Sequence, residues 1–436
     1  MRSFHFEKMI DCSRIHIRKS RLREDLSDLS RFGKEPGGGV ARTALSIADL
    51  EARRWFQKKM REAGLKTLED GAANLIGRLE LWKGGPEGPC IAIGSHIDTV
   101  SHGGRFDGAL GICGALEAVR AIRESGIPLP CPLELIVFTD EEGSHFAGTF
   151  GSRAMLGLLE KGELYRSGGG AAHPTLAESL KRMGKMPERI REAVRSPSEF
   201  LAFLEMHIEQ GPVLDSAKIP IGIVEGIVFL ERSIIRTTGQ SGHAGTIPMD
   251  KRDDALVKAA KIVTGLNRIV RSAGKGMVGT IGQLQVFPGV FNIIPQKVEM
   301  TLDLRSMGKN KLNSVKREIR KMLHLAGKSE IETLNAKGGV TMDRAIRKSI
   351  ERSCRERKIR WRKMSSRAGH DAMTFASQGI PTGMIFIPCR EGKSHCPEEF
   401  IRWEDAAAGT QILADTIMRM GYRFSSSPVR QKFVGK

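Results

Sequence analysis

The chain has 436 residues, a hydrophobic fraction of 40%, a charged fraction of 27% and a formal net charge of +19. That length exceeds what one core usually serves, so two domains are expected. The composition is that of a soluble globular protein. No apolar run reaches membrane-spanning length, and the start, "MRSFHFEKMIDCSRIHIRKS", lacks the apolar core of a secretory signal, which points to the cytoplasm.

In chain order, the amino-terminal segment reads as helical to about Phe32, where "GKEPGGGVART" interrupts it. That loop lacks the GK[ST] ending of a phosphate cradle. Ser46 and Asp49 predict the cap of a helix, "IADLEARRWFQKKMREAGL", that stops at Gly64. Strands are predicted at "NLIGRLEL", "PCIAIGSHID" and "LELIVF", with the helix "DGALGICGALEAVRAIRESG" before the last. This alternation predicts an α/β layer, a mostly parallel sheet covered by helices.

From about residue 214 apolar and polar residues alternate instead, in "IPIGIVEGIVFLERSIIRTTG" and "QKVEMTLDLRS". With the helical patterns "RDDALVKAAKIVTGLNRIV" and "KNKLNSVKREIRKMLHLAG", the order strand, helix, strand, strand, helix, strand suits a small ferredoxin-like α+β layer. Alternation of helix and strand resumes after about residue 333. The expected layout is therefore one domain in two parts, 1–213 and 333–436, interrupted by an inserted domain, 214–332.

Chemistry-bearing residues cluster at predicted strand ends. "GSHIDT" supplies His96 and Asp98, two apart in an extended chain and so on one face, where Asp98 could orient the His96 ring; a satisfied strand-end histidine is the plainer reading. Asp107 in "GGRFDGALG" suits a helix cap equally well. Asp140, Glu141 and Glu142 crowd the end of "LELIVF", and the adjacent glutamates point apart, so one could hold a cation while the other serves as a base. His207 and Gln210 follow another apolar run, and His395 a third. In an open parallel sheet, His96, Asp107, Glu142, His207 and His395 could converge on one crevice as nitrogen and oxygen ligands of hydrolytic zinc.

Seven scattered cysteines without CxxC spacing indicate neither a disulfide framework nor a thiolate zinc site. The charge of +19 invites a nucleic-acid reading, densest in "RAIRKSIERSCRERKIRWRK" (344–363), where Ile346, Ile350 and Cys354 share a face. A solvated basic helix face explains that stretch first. Two tyrosines and four tryptophans offer few stacking platforms for single strands.

The wording of "GSHIDT", "GGRFDGALG", "DEEGSHFAGTFGSR", "MHIEQGP", "SGHAGTIPMDKRDDAL", "FNIIPQKVEMTLDLR", "AGHDAM" and "SHCPEEF" resembles the carbamoylase and allantoate amidohydrolase branch of the M20 metallopeptidase family. The resemblance implies two divalent ions per subunit, zinc first, with manganese, cobalt or nickel also suited to such ligands. It implies His96, Asp107, Glu142, His207 and His395 as ligands, with Asp107 bridging, Glu141 as general base and Asp98 as orienting partner. It implies Gln210, His243, Asn292, Arg305 and Gly369 near the substrate, and an inserted domain that acts as lid and homodimer contact. Arg305 by itself reads as a surface pair with Asp303. Relatives usually carry glycine at the place of Arg367 and commonly arginine at that of His145, to which no role is attached, and Cys396 follows a presumed ligand. His370 and Asp371 suit helix-start packing as well as a supporting pair.

The function implied is hydrolysis of the ureido C–N bond of N-carbamoyl-L-amino acids or allantoate by a metal-bridging hydroxide, with release of ammonia and carbon dioxide. The alternatives are an M20 peptidase or aminoacylase, and a basic nucleic-acid-binding or scaffold protein on an inactive hydrolase fold. A small-molecule partner is expected, with neither membrane nor nucleic acid.

Overall fold

A computed structural model describes residues 11–79, 88–143, 146, 148–166 and 174–425. The first ten residues, the end of "NLIGRLEL", and Ser144, His145 and Ala147 lie outside the described residues. The chain forms two compact units: the described residues within Met1–Glu225, Met342–Met364 and His370–Lys436, and Gly226–Thr341 with Ser365–Gly369.

The amino-terminal helix begins later than the sequence suggests. Cys12–Arg14 makes a single 3-10 turn, and α1 spans Lys19–Leu29. Tertiary bonds set that start, because the Arg18 N–H and the Arg21 guanidinium donate to the buried Glu117. Helix α2 (Ile47–Glu62) begins as expected, with Ser46 Oγ accepting the Asp49 N–H and Asp49 accepting that of Leu45. Then come β1 (Leu65–Glu69), β2 (Leu75–Leu79), the wholly buried β3 (Cys90–His96) and α3 (Ala109–Ser125). Helix α3 is rich in Ala, Gly, Leu and Ile and buried on nearly every side, as suits a helix packed against β3, β5 and two further helices. The unit continues with β4 (Leu133–Phe138), α4 (Phe150–Met155), α5 (Leu176–Arg182), β5 (Phe200–Ile208), α6 (Val213–Ala217) and β6 (Ile221–Ile227).

The second unit holds β7 (Phe229–Thr238), α7 (Ala255–Ser272), β8 (Met277–Phe287), β9 (Lys297–Ser306), α8 (Lys309–Ala326), β10 (Ser329–Lys337) and the short β11 (Val340–Thr341). Its four-stranded sheet has the order β10-β7-β9-β8, antiparallel throughout. Strict alternation in β9 buries Val298, Met300, Leu302 and Leu304 against a core that includes Ile262, Leu266, Val315 and Ile319 of the two helices. This is the expected ferredoxin-like layer. One expectation needs correction: "IPIGIVEGIVFLERSIIRTTG" is not one strand but two, β6 and β7, which belong to different sheets.

The chain then supplies α9 (Arg344–Glu356), β12 (Trp361–Ser366), α10 (Asp371–Ser377), β13 (Thr382–Ile387) and α11 (Trp403–Ser425). The large sheet runs β1-β2-β4-β3-β5-β13-β6-β11, with β12 also on β6. Its centre, β4-β3-β5-β13, is parallel, and β1, β2 and β6 flank it antiparallel. The expected α/β class therefore holds, and the carboxyl ends of four parallel strands open at one edge. No helix among the described residues is long and apolar enough to cross a membrane.

Candidate metal centre

Each parallel strand delivers an acid or imidazole to that edge. His96 is the last residue of β3, Glu141 and Glu142 follow β4, His207 is the penultimate residue of β5, and His395 lies in the loop after β13. Asp107 comes from the turn into α3. There Gly108 takes φ +61°, and a Cβ on it would stand 2.5 Å from the His96 ring, so only glycine lets the helix start this close. Asp140, Gln210 and His395 all hold left-handed φ values of 52°, 55° and 57°. Non-glycine residues accept that conformation at a cost, and such strain concentrates at functional sites.

The two oxygens of Asp107 serve two separate groups. Oδ1 lies 3.1 Å from His207 Nε2 and 3.6 Å from His96 Nε2, and Oδ2 lies 3.4 Å from His395 Nε2. Glu142 Oε2 stands 3.3 Å from His395 Nε2. Two triads result, His96–Asp107–His207 and Asp107–Glu142–His395, and in each the ligand atoms lie within 4.8 Å of one another. Glu141 Oε2 is 3.5 Å from His96 Nε2. Gln210 Nε2 donates to Asp107 Oδ2 at 2.7 Å and lies 3.2 Å from His395 Nε2.

The donor set fits divalent cations. His96 Nε2, Asp107 Oδ1 and Glu142 Oε1 are buried with no hydrogen-bond partner among the described residues, an arrangement that costs free energy unless something positive sits between them. Borderline nitrogen and oxygen donors in groups of three match zinc and its neighbours.

The electrostatics agree. Burial, helped by the charges of Asp371 and Glu142, pushes Glu141 well above the ordinary carboxylate range; burial and the charge of Asp107 do the same to Glu142. Burial takes His96 down to about 4. Burial also opposes the charged form of Asp107, but the neighbouring imidazoles, His207 first and then His395 and His96, hold this carboxyl well below its usual value. In His207, burial is outweighed by Asp107, and the ring rises to about 9. A bound cation would reverse the logic for the carboxylates by charge alone.

One sequence expectation is corrected here. Asp98 does not hold His96 through its carboxylate, which lies 3.8 Å from Nδ1; its backbone carbonyl does, at 3.0 Å. The extended geometry that would put both side chains on one face stops at His96, where β3 ends. The carbonyl accepts the Nδ1 proton and leaves Nε2 as the free ligand nitrogen. The Asp98 carboxylate instead accepts the N–H groups of Glu141 and Glu142, at 3.4 and 3.2 Å, and so fixes both glutamates through their backbone.

Two supporting residues, Glu399 and Arg53, are ones that sequence reasoning missed. Glu399 Oε1 accepts the N–H groups of Phe106 and Asp107, at 2.6 and 3.1 Å. Buried Arg53 donates to the Phe138 carbonyl at the end of β4 and pairs with Asp49; the i, i+4 spacing of Asp49 and Arg53 was its one local signal. His370 packs edge-on against His207 with ring centroids 4.5 Å apart, and it precedes α10 as helix-start packing would have it.

The second unit carries four of the remaining sequence candidates. His243 forms an isolated bridge with Ile293, and the Ala244 N–H donates to the Asn292 carbonyl, so His243 and Asn292 are neighbours, both exposed. The Gly245 N–H donates to His243 Nδ1, which places the ring proton on Nε2. Arg305 is engaged by Asp303 at 2.8 and 3.2 Å and donates from Nη1 to the Arg367 carbonyl at 2.7 Å, close in sequence to Gly369. Cys396 is partly exposed, and the other six cysteines are buried and free.

The profile described as Peptidase family M20/M25/M40 matches residues 92–419. An N-carbamoyl-L-amino acid amidohydrolase of Geobacillus stearothermophilus is 37% identical over 93% of this chain and 99% of its own length. A ureidoglycolate hydrolase of Oryza sativa subsp. japonica is 33% identical over 94% of this chain and 86% of its own. The crystal structure of an amidase of the hydantoinase/carbamoylase family from Burkholderia multivorans superposes with a TM-score of 0.83 at 30% identity, covering 93% of this chain and 98% of that one.

Proposed function

This chain belongs to peptidase family M20/M25/M40, and from that premise we propose that it is a metal-dependent amidohydrolase of the ureido C–N bond in small carboxylate-bearing substrates. The single observation that carries this reading is Asp107 shared between two triads, with an acid of raised pKa, Glu141, beside them. N-carbamoyl-L-amino acids are the first substrates we propose, followed by allantoate and β-ureidopropionate; the rice relative adds ureidoglycolate.

His96 and His207 would hold one divalent ion, Glu142 and His395 a second, and Asp107 both, zinc being the first choice. When bound, such ions polarise a carbonyl and bring the pKa of water toward neutrality. Glu141 Oε2 takes the proton from the attacking water and returns it to the departing nitrogen, acting as base and then acid. The Asp98 carboxylate keeps the Glu141 backbone in register, and its carbonyl keeps the His96 tautomer.

His243, which carries its proton on Nε2, is proposed to donate to the substrate's ureido oxygen, and Asn292, Arg305, Gln210 and the Gly369 backbone to receive the rest of the substrate, with Arg305 exchanging Asp303 for the substrate carboxylate. A cytoplasmic homodimer formed through the inserted unit completes the reading.

The test is an ammonia-release screen of purified, metal-reconstituted protein over the four ureido substrates, with an N-acetyl amino acid and a dipeptide alongside. Release from a ureido substrate alone supports the proposal. Turnover of only the acetyl or peptide substrate moves the chain to the peptidase and aminoacylase reading.

A further inference from the structure

A second concave site lies in the first unit, between α9 and α11. It is a cavity of about 730 Å³ lined by six cations and two carboxylates, Asp343 and Glu351. Helical spacing places Arg344, Lys348, Arg352 and Arg355 along one face of α9, with Arg419 and Arg423 four apart on α11 facing them. The opposite face of α9 buries Ile346, Ile350 and Cys354, which anchors the helix and turns its cations outward.

Part of that charge has no counter-charge beside it. Asp343 is occupied capping Ala345 and Ile346, Glu351 pairs with Lys363, and Glu356 with Arg352 and Arg419. The side chains of Arg344, Lys348 and Arg355, which line the cavity, make no ion pair or hydrogen bond among the described residues. Most telling is Arg419: it is only 1% exposed, its Nε donates to Ser353 Oγ at 3.2 Å and its Nη2 pairs with Glu356, yet buried Nη1 has no hydrogen-bond partner among the described residues. A guanidinium is rarely buried with an idle donor, and Arg419 is among the residues that line the cavity.

The cavity is separate from the metal centre. The Asp343 N–H donates to the carbonyl of Thr382, the first residue of β13, whereas β13 runs parallel to β5 and Phe386 pairs with His207 near its far end. The two sites thus sit toward opposite ends of the same strands, about 13 Å apart along the strand direction.

We propose that this groove binds a small, multiply charged phosphoanion of pyrophosphate size. The volume lies in the range of small-molecule sites, and several convergent guanidinium groups favour phosphate oxygens through forked, charge-assisted hydrogen bonds. A nucleic-acid strand fits less well, because the lining contains no aromatic residue on which bases could stack.

The test is calorimetric titration of the metal-loaded full chain with inorganic pyrophosphate at near-physiological salt, for wild type and for Arg344→Gln/Lys348→Gln, whose positions are exposed and spare the fold. The expected result is saturable binding in wild type, weakened about tenfold or more in the double variant, with ureido hydrolysis and metal content equal in both proteins without the anion. Arg419→Lys, which keeps the charge and removes the idle donor, is expected to weaken binding as well. Equal binding by wild type and the double variant would place the anion at the metal centre and overturn the proposal. Absence of saturable binding would overturn it too, as would a single-stranded oligonucleotide that binds more tightly than pyrophosphate.

Discussion

Glu399 holds Asp107 from behind: its Oε1 accepts the Asp107 N–H at 3.1 Å and that of Phe106 at 2.6 Å, while its buried Oε2 has no hydrogen-bond partner among the described residues. Burial and the Asp107 charge raise this carboxyl to about 7. Asp107, the residue common to both triads, is therefore held at its backbone by Glu399. Glu399→Ala removes two buried hydrogen bonds and is expected to cost about 2 kcal/mol of stability, read by chemical denaturation, along with metal affinity. Glu399→Gln keeps an acceptor and is expected to lose less than half as much. Equal losses in the two variants would remove the positioning role.

The shared carboxylate and the unshared ligands should separate by metal content. Asp107→Asn is expected to deplete both ions together, whereas His395→Ala depletes only one, because His395 belongs to one triad. Elemental analysis after dialysis decides it. Loss of one equivalent in both variants would mean that Asp107 does not bridge.

Glu141→Gln should lower kcat by roughly a hundred- to ten-thousand-fold while metal content stays at the wild-type level, since the amide keeps shape and loses the proton-carrying role. Steady-state ammonia release and metal analysis on the same sample are the measurement. Activity within a few-fold of wild type would dismiss Glu141 as the base.

Metal loading should release protons. In the metal-free protein, against burial, Asp107 raises His207 to about 9, and burial raises Glu142 well above the carboxylate range, so both favour a proton that a cation must displace, whereas burial takes His96 down to about 4 and it contributes none. For stability the sign follows: the raised His207 value stabilises the metal-free fold fully below about pH 6.5, and that contribution disappears as pH climbs through 9. Titration of zinc into metal-free protein in buffers of different ionisation enthalpy should give heats that track the buffer. Buffer-independent heats would contradict the protonated His207.

Arg305→Lys should raise KM about tenfold for a carboxylate-bearing ureido substrate and change kcat little, because the ammonium keeps the charge but not the two-pronged geometry. A substrate analogue whose carboxylate is replaced by a carboxamide should bind the two proteins alike. A fall in kcat with unchanged KM would assign Arg305 another role.

Periodicity determined much of this protein. The apolar runs of β3, β4, β5 and β13 mark buried strands, the alternation of β9 marks a half-buried one, and the Ser46–Asp49 cap sets a helix start. These are local properties, fixed by side-chain spacing and by the backbone groups a cap must satisfy. The residue types at the strand ends were also legible, and the motif resemblance tied them to one chemistry.

What folding alone decided is how the pieces support one another. Asp98 works through its carbonyl because β3 ends at His96, Glu399 rather than Glu398 reaches the Asp107 loop, and Glu117 on α3 dictates where α1 begins. Each of these is a hydrogen bond between residues whose separation or strand ending no period encodes. Their partners are chosen by which buried polar groups would otherwise go unpaired, and that is settled only when the layers close.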